Sequence, residues 1–291
     1  MLKTDSARSR RVGIALVSLA TLCFALLDAT AKWLVQELPV VQAVWLRFAT
    51  HVVLMTLLLA PVHGLHLVRM HSVRQHLLRS AMLASMTALN FWALQYLQLA
   101  ETGAMQFSVP ILIALLSAWW LGERLSAPRW AAIVGGFAGV LLVIRPGSAA
   151  FHPAILLSAL NALLYAAFNL LTRRMAANES PQAMQLISAA GAALVLAPFA
   201  LWQWQAPAGP LAWSLVALCG LMGGLGHLCV AMAHRYASAA VLGPFLYQQI
   251  LYMVLWGWLV FGQVPDAFVV AGGLVVVASG LVLLGLELRR R

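Results

Sequence analysis

Long apolar runs, separated by short segments that carry charges, proline or glycine, make up almost the whole sequence. A hydrocarbon core about 30 Å thick needs roughly 20 apolar residues in one helix, so runs of this length predict membrane-spanning helices. The ten predicted spans cover residues 12–33, 40–60, 78–98, 103–121, 130–144, 154–171, 182–202, 211–233, 239–261 and 267–286. The predicted fold class is an all-α integral membrane protein with ten transmembrane helices.

Composition agrees with a membrane solvent. Hydrophobic residues make up 63% of the 291 positions and charged residues 9%, whereas soluble domains carry about 25% charged residues. The formal net charge of +10 would suit a nucleic-acid partner only if the basic residues shared one soluble face. They are scattered between apolar runs instead, so we expect contact with membrane lipid and none with nucleic acid.

The basic residues are unevenly divided between the two sides of the predicted membrane. Of the 18 Lys and Arg residues, fifteen fall on one side. They are Lys3, Arg8, Arg10, Arg11, Arg69, Arg74, Arg79, Arg124, Arg129, Arg173, Arg174, Arg235 and Arg289 to Arg291. The opposite loops hold Lys32 and Arg145, and Arg47 lies inside the second span. Cytoplasmic loops are enriched in Lys and Arg, which predicts cytoplasmic N- and C-termini in a bacterial inner membrane.

The two halves of the chain share an internal pattern. Leu121-Gly122-Glu123 ends the fourth span and Phe261-Gly262-Gln263 ends the ninth, and a glycine-rich helix follows each. Because five helices are an odd number, the second half would cross the membrane in the opposite sense, an inverted repeat typical of transporters. The predicted parts are a cytoplasmic N-terminal tail, two five-helix repeats and a basic cytoplasmic tail. Their bounds are 1–11, 12–148, 149–287 and 288–291.

Several short motifs occur in one order along the chain. They are Lys32 closing the first helix, Arg47-Phe48 in the second, Leu121-Gly122-Glu123, Arg145-Pro146-Gly147 after the fifth, and Pro244 in the ninth. In this the chain resembles the ten-helix EamA type of the drug/metabolite transporter superfamily, although Gly262-Gln263 replaces the family's usual Gly-Glu. The resemblance implies a secondary transporter without ATPase parts or cofactor. Relatives move amino acids, nucleotide-like and flavin compounds, drugs and opine-type metallophores.

Three ionisable residues lie within or at the ends of the first two predicted spans. Asp28 and Lys32 are four residues apart, the favourable order for an ion pair on one helix face. Arg47 lies about 10 Å deep in the second span, on the same side of the membrane. Buried ionisable groups need a partner or a water-filled cavity. We expect either a substrate or proton site that changes partners, or a fixed ion pair that locks two helices.

Two polar stripes follow helices of the second half. Asn161, Tyr165 and Asn169 recur every four residues on the sixth span, and we expect them to face a translocation path or to bond neighbouring helices. Pro244, Gln248 and Tyr252 share a face of the ninth span. Proline removes a backbone hydrogen bond, so this helix is predicted to be locally broken, as at a binding site, or merely kinked for packing.

Histidines divide into two interior positions and a loop cluster. His51 and His227 lie inside spans and could titrate near neutral pH, although satisfied interior histidines are commoner. His63, His66, His71 and His76 cluster in the first cytoplasmic loop. No Asp, Glu or Cys accompanies them, so we expect a solvated segment facing anionic lipid and no metal site.

The predicted function is export of a small polar or zwitterionic metabolite, such as an amino-acid-like compound or an opine-type metallophore, by alternating access. The central cavity would be lined by helices one, three, four, six, eight and nine. The alternatives are an uptake carrier for a vitamin-like or nucleotide-like solute such as riboflavin and, more distantly, a non-transporting scaffold. Catalytic motifs are missing, so no enzyme is predicted. Gly135 and Gly139 form a GxxxG pair for close packing between the repeats or in a homodimer.

Overall fold

The computed structural model describes residues 7–121, 126–175, 178–237 and 239–288, which are helical and contain no strand. Twelve α-helices occupy these ranges, with a short 3-10 helix at Gly64–Val68. The helices are α1 (Ala7–Glu37), α2 (Val40–His63), α3 (Val73–Tyr96), α4 (Leu99–Gln106), α5 (Val109–Leu121), α6 (Ala127–Ile144), α7 (Ile155–Met175), α8 (Pro181–Trp202), α9 (Gly209–Tyr236), α10 (Ala239–Leu246), α11 (Gln249–Phe261) and α12 (Ala267–Leu288). Among the described residues, nine helical segments are long and apolar enough to cross a membrane, and Gln249–Phe261 is a shorter apolar helix. The all-α membrane class is therefore confirmed.

The fourth and ninth predicted spans are each broken into two helices. The first break, at Phe107 and Ser108, separates α4 from α5, and the second, at Tyr247 and Gln248, separates α10 from α11. Pro110 has no N–H group and cannot donate to the carbonyl one turn earlier, which explains the first break. The predicted break in the ninth span is confirmed, but it lies three residues beyond Pro244. The break in the fourth span was not predicted.

Contacts between helices repeat when each helix is exchanged for its counterpart in the other half. The helix α1 packs extensively against α9, and its counterpart α7 packs against α3. The contacts of α2 with α9 match those of α8 with α3, while α2 packs on α8 and α6 packs on α12. The two repeats are thus intertwined, and a polar group in the centre of the bundle is surrounded by helices of both halves.

The predicted GxxxG pair lies at the interface between the repeats. A Cβ atom on Gly139 would lie 2.8 Å from the carbonyl oxygen of Gly272, and one on Gly272 would lie 2.6 Å from that of Gly139. Only glycine allows the backbones of α6 and α12 to approach this closely. Gly139 therefore serves contact between the repeats.

Loops gather at two ends of the bundle. We call the end where α1 begins the terminal end; it also holds loop 64–72 and residues 178–180, which hydrogen bonds join to each other. The other end, called the opposite end, holds the loops 97–98, 145–154, 203–208 and 262–266. The largest apolar cluster includes Phe48, Phe91 and Leu34 and lies among α1, α2 and α3. This core holds the helices that carry the central polar groups.

Candidate functional site

A small polar cavity lies between helices of the two halves. Its walls come from α2, α3, α7, α8 and α9. The lining residues are Arg47, His51, Arg79, Leu83, Phe168, Gln185 and His227. Arg47 is seven residues into α2, about 10 Å from the opposite end, and Arg79 is six residues into α3, about 9 Å from the terminal end. The lining therefore lies in the middle of the bundle, between the depths of Arg47 and Arg79.

Arg47 is a buried cation without a hydrogen-bond partner among the described residues. Its side chain is 4% exposed, and its Nε and Nη1 atoms make no hydrogen bond there. Its guanidinium carbon lies 4.4 Å from the ring centre of Phe48, which gives a cation–π contact. Gly223 makes room for it, since a Cβ atom there would lie 3.1 Å from Nη2. Arg47 thus faces the cavity with unused donors.

The two predicted interior histidines also line this cavity. His51 lies one turn beyond Arg47 on α2, is 2% exposed, and has no partner for either ring nitrogen among the described side chains and backbone. His227 lines the wall from α9 and packs edge-on against Phe24, with ring centres 4.9 Å apart. The buried amide nitrogen of Gln185 is likewise unpaired in the described part of the chain. The walls therefore carry many polar groups and few partners for them.

Arg79 lines the cavity, although the sequence predicts that it lies on the cytoplasmic side of the membrane. It was assigned to a cytoplasmic segment, but α3 begins at Val73, five residues before the predicted start, and Arg79 is buried in the bundle. Its Nη1 atom donates to the Met184 carbonyl at 2.7 Å and to Ser188 Oγ at 2.6 Å. Its Nε atom donates to Thr172 Oγ1 at 3.1 Å. Arg79 lies four residues before Leu83, so both share one face of a helix. This spacing is the feature of the sequence that could have placed Arg79 inside the third span.

The expected ion pair between Asp28 and Lys32 is absent from the described residues. Asp28 accepts a hydrogen bond from the amide of Asn90 at 2.9 Å. Lys32 Nζ donates to the carbonyls of Leu94 at 2.8 Å and Leu97 at 2.7 Å. The last carbonyls of a helix have no intrahelical partner, so the end of α3 supplies Lys32 with acceptors. Lys32 is held there, away from the polar cavity.

The predicted stripe on the sixth span runs beside the cavity. Asn161 is buried in α7, at 2% exposure. Tyr165 stacks against Phe168, which forms part of the cavity wall, with ring centres 6.3 Å apart. Asn169 donates to the Tyr165 carbonyl at 2.7 Å and so bonds within its own helix. The stripe therefore supports the wall rather than supplying most of its polar groups.

The predicted face of the ninth span lies near the second helix break. Gln248 occupies the break, and its buried amide nitrogen has no hydrogen-bond partner within the described ranges. Tyr252 is half-buried and packs on the main apolar cluster. The side chain of Pro244 lies outside the described residues, as does Glu123 of the Leu-Gly-Glu motif. The polar cavity takes residues from α2, α3, α7, α8 and α9, which are the predicted spans two, three, six, seven and eight. The predicted lining was spans one, three, four, six, eight and nine, so only spans three, six and eight are common to both.

At each end, a side chain from one half binds a loop of the other. At the terminal end, Glu179 accepts hydrogen bonds from the backbone amides of His71 at 2.7 Å and Ser72 at 3.2 Å. Its carboxylate also lies 3.0 Å from His76 Nε2. Burial raises the pKa of Glu179, but these amide hydrogen bonds and His76 outweigh it and hold the pKa below its usual value. We call this group the terminal clasp.

The terminal clasp corrects one prediction and has a counterpart at the opposite end. His76 is 2% exposed, so it is not part of a solvated histidine cluster; its acid partner comes from the other repeat and is distant in sequence.

At the opposite end, the Gln42 side chain accepts a hydrogen bond from the backbone N–H of Gln205 at 2.9 Å and donates one to the backbone carbonyl of Gln205. Gln42 and Glu179 each lie near the start of the second helix of their own half.

Comparison with known proteins gives matches over most of the chain. The sequence profile of the EamA-like transporter family matches residues 11–145 and 152–285. A pseudopaline exporter of Pseudomonas aeruginosa is 27% identical over 272 residues, which cover 93% of this chain and 95% of that protein. A crystal structure with 20% identity covers 98% of this chain and 99% of its own chain with a TM-score of 0.66. That structure shares the fold.

Two further relatives match over shorter segments. A riboflavin transporter of Vibrio cholerae is 31% identical over 193 residues, which span 65% of this chain and 63% of the relative. An S-adenosylmethionine uptake transporter of Rickettsia conorii is 26% identical over 177 residues, which span 61% of this chain and 60% of the relative. These relatives transport different solutes, and their names include both an exporter and an uptake carrier.

Proposed function

Because the chain belongs to the EamA-like transporter family, we propose that it exports a small polar or zwitterionic metabolite by alternating access. Family and relatives identify a transporter rather than an enzyme, and a multi-pass protein of the bacterial inner membrane. An amino-acid-like compound or an opine-type metallophore is the proposed solute. Its partners in the membrane are this solute and lipid.

One observation carries the proposal: the polar cavity lies between helices of both repeats and holds buried polar groups without partners. Ionisable groups inside a membrane are costly and commonly mark a substrate or ion pathway. A site at a repeat interface is reached from either side when one half rocks against the other. The terminal clasp and the Gln42–Gln205 pair join the halves at the two ends, and we propose that they part in turn.

The proposed orientation has ten spans, an inverted second repeat and both termini in the cytoplasm, which makes the terminal end cytoplasmic. The excess of Lys and Arg in the loops of that end supports it. The proposed path and coupling residues are Asp28, Lys32, Arg47, Asn161, Tyr165, Asn169, Pro244, Gln248 and Tyr252, with His51 and His227 as proton carriers. Burial of Asp28, Arg47 and His51 next to or within the cavity supports this choice.

Export is supported by a relative that matches along nearly its full length, a pseudopaline exporter. The second candidate is uptake of a vitamin-like or nucleotide-like solute, which the riboflavin and S-adenosylmethionine transporters favour over shorter segments. The two directions move the solute oppositely through the same cavity. A change in the medium therefore separates them.

Comparative metabolite profiling of a deletion strain and its parent tests the proposal. Export predicts that one compound accumulates inside the deletion strain and disappears from its medium, and that the wild-type protein restores both levels. Uptake predicts a compound that falls inside the cell and stays in the medium. An unchanged profile over several growth conditions would contradict transport and favour a scaffold.

A further inference from the structure

We propose that the polar cavity binds an oxyanion, a carboxylate or a phosphate group of the transported solute, between Arg47 and Arg79. The inference rests on the proposed transport function and adds the chemical class of its substrate. It starts from the charges that line the cavity. Two arginines, two histidines and one glutamine supply polar groups, and the lining contains no acidic residue. The cavity is therefore a cationic site.

The chain treats its buried cations in two different ways. Lys32 is bound to two carbonyls at the end of α3, and Arg79 donates to one carbonyl and two hydroxyls. Arg47 is as deeply buried, yet its Nε and Nη1 atoms have no partner among the described residues. A group that is structural in this fold has acceptors built around it. The exception indicates that the acceptor of Arg47 comes from a bound solute.

The nearest buried acid does not take the place of that acceptor. Asp28 lies close enough to interact electrostatically with Arg47, but its carboxylate accepts from Asn90. No ion pair joins Asp28 to Arg47 within the described part of the chain. Asp28 is not part of the cavity lining, so it does not occupy the space in which Arg47 would meet the oxyanion.

Arg79 supplies a rigid second donor. Three hydrogen bonds to α7 and α8 hold its guanidinium, and its Cζ atom lies 4.4 Å from the ring centre of Phe168. These bonds use Nη1 and Nε, so Nη2 remains for a ligand. The planar guanidinium of Arg47, whose donors are unused, can match carboxylate and phosphate oxygens in two-point hydrogen bonds. Nη2 of Arg79 adds a single donor from another wall of the same cavity.

This arrangement predicts which solutes the protein rejects. A solute without an oxyanion would leave buried guanidinium groups unpaired, and a site built for a polar group discriminates strongly against an analogue that lacks it. Neutral sugars and simple polyols should therefore not bind. Carboxylates and phosphates share the required chemistry, and separate probes distinguish them.

Thermal unfolding of the purified full-length protein in detergent tests the inference without a transport assay. The probes are succinate and glutamate for carboxylates, inorganic phosphate for phosphates, and glucose as a neutral solute. We expect at least one anion to raise the unfolding midpoint by about 5 °C when it is present at about 100 times its Kd. Glucose should cause no shift. A carboxylate-only response assigns a carboxylated solute, and a phosphate-only response a phosphorylated one.

Variants locate the anion. Arg47→Gln should lose the anion-dependent shift, whereas Arg74→Gln, which changes an exposed arginine at the start of α3, should retain it. An equal shift in Arg47→Gln and wild type, or no shift with any of the anions, would overturn the anion site. Neither result bears on transport, which the metabolite profile reports separately. A protein that binds anions through Arg47 without altering any metabolite would instead overturn the proposed function.

Discussion

Replacing Arg47 by methionine should make the ligand-free protein more stable while abolishing its anion response. The change removes a buried charge whose Nε and Nη1 atoms are unpaired among the described residues. Each unsatisfied buried donor costs about 1–3 kcal/mol. The lost cation–π contact with Phe48 is worth about 0.5–2 kcal/mol. The net gain is about 2 kcal/mol, and we expect the unfolding midpoint to rise by about 4–8 °C.

The matched comparison is Lys32→Met, which removes a buried cation that has partners. Its two carbonyl acceptors on α3 would be left unpaired, so this variant should lose about 2 kcal/mol or more. Fluorescence-monitored unfolding of the three purified proteins, under one detergent condition without added anion, measures both effects. A midpoint for Arg47→Met below that of wild type would refute the reasoning, because it would mean that the guanidinium stabilises the empty fold.

Three other predictions concern the clasp, the repeat interface and the cavity. Because hydrogen bonds hold the pKa of Glu179 below its usual value, its stabilising effect should be complete at neutral pH. The effect should be lost progressively as the pH falls from the usual Glu pKa of about 4.3 through the lower pKa of the folded state. Unfolding of wild type and Glu179→Gln should therefore differ at pH 7 and converge in acid, and a difference that persists in acid would contradict this. Gly139→Leu should lower the free energy of unfolding by about 1–3 kcal/mol or more, because its Cβ atom would lie 2.8 Å from a backbone carbonyl oxygen of α12. The control is Gly285→Leu, whose Cβ atom would have no neighbour within 4 Å. This variant should unfold near the wild-type midpoint. Gly223→Ala places a Cβ atom 3.1 Å from Arg47 Nη2, so anion affinity should fall several-fold with little change in stability; unchanged affinity in the anion titration would count against the site.

The terminal clasp and the Gln42–Gln205 pair, which we call the opposite clasp, show how an internal repeat can place similar contacts at both ends of a bundle. Gln42 lies two residues inside the second helix of its half and Glu179 two residues before the second helix of its own. Each binds the loop between the second and third helices of the other half. The chemistry differs, since one clasp has a carboxylate beside His76 and the other a neutral amide. Only the terminal clasp therefore responds to protonation.

Local sequence was sufficient for the features that depend on the surrounding solvent. Apolar runs of membrane length predicted the helices, and the depth of Arg47 in the second span followed from its position in the run. Pro244 pointed to the break in the ninth span. Hydropathy and helical periodicity are properties of neighbouring residues, so one chain segment carries enough information. The third span was begun too late because charged residues near its start resemble a loop, and Arg79 was misplaced with it.

Tertiary structure alone decided the partners of the buried polar groups. Lys32 lies four residues from Asp28 in sequence, but it binds carbonyls of α3 that are 62 and 65 positions away. Arg79 finds acceptors 93 to 109 positions away, and His76 meets Glu179 of the other repeat. A buried polar group takes the acceptor that packing brings to it, whatever its distance along the chain. For this reason the sequence by itself determined the membrane-spanning helices and most of the residues buried within them. The packing of the two repeats decided which helices enclose the cavity, and it left Arg47 without a partner among the described residues.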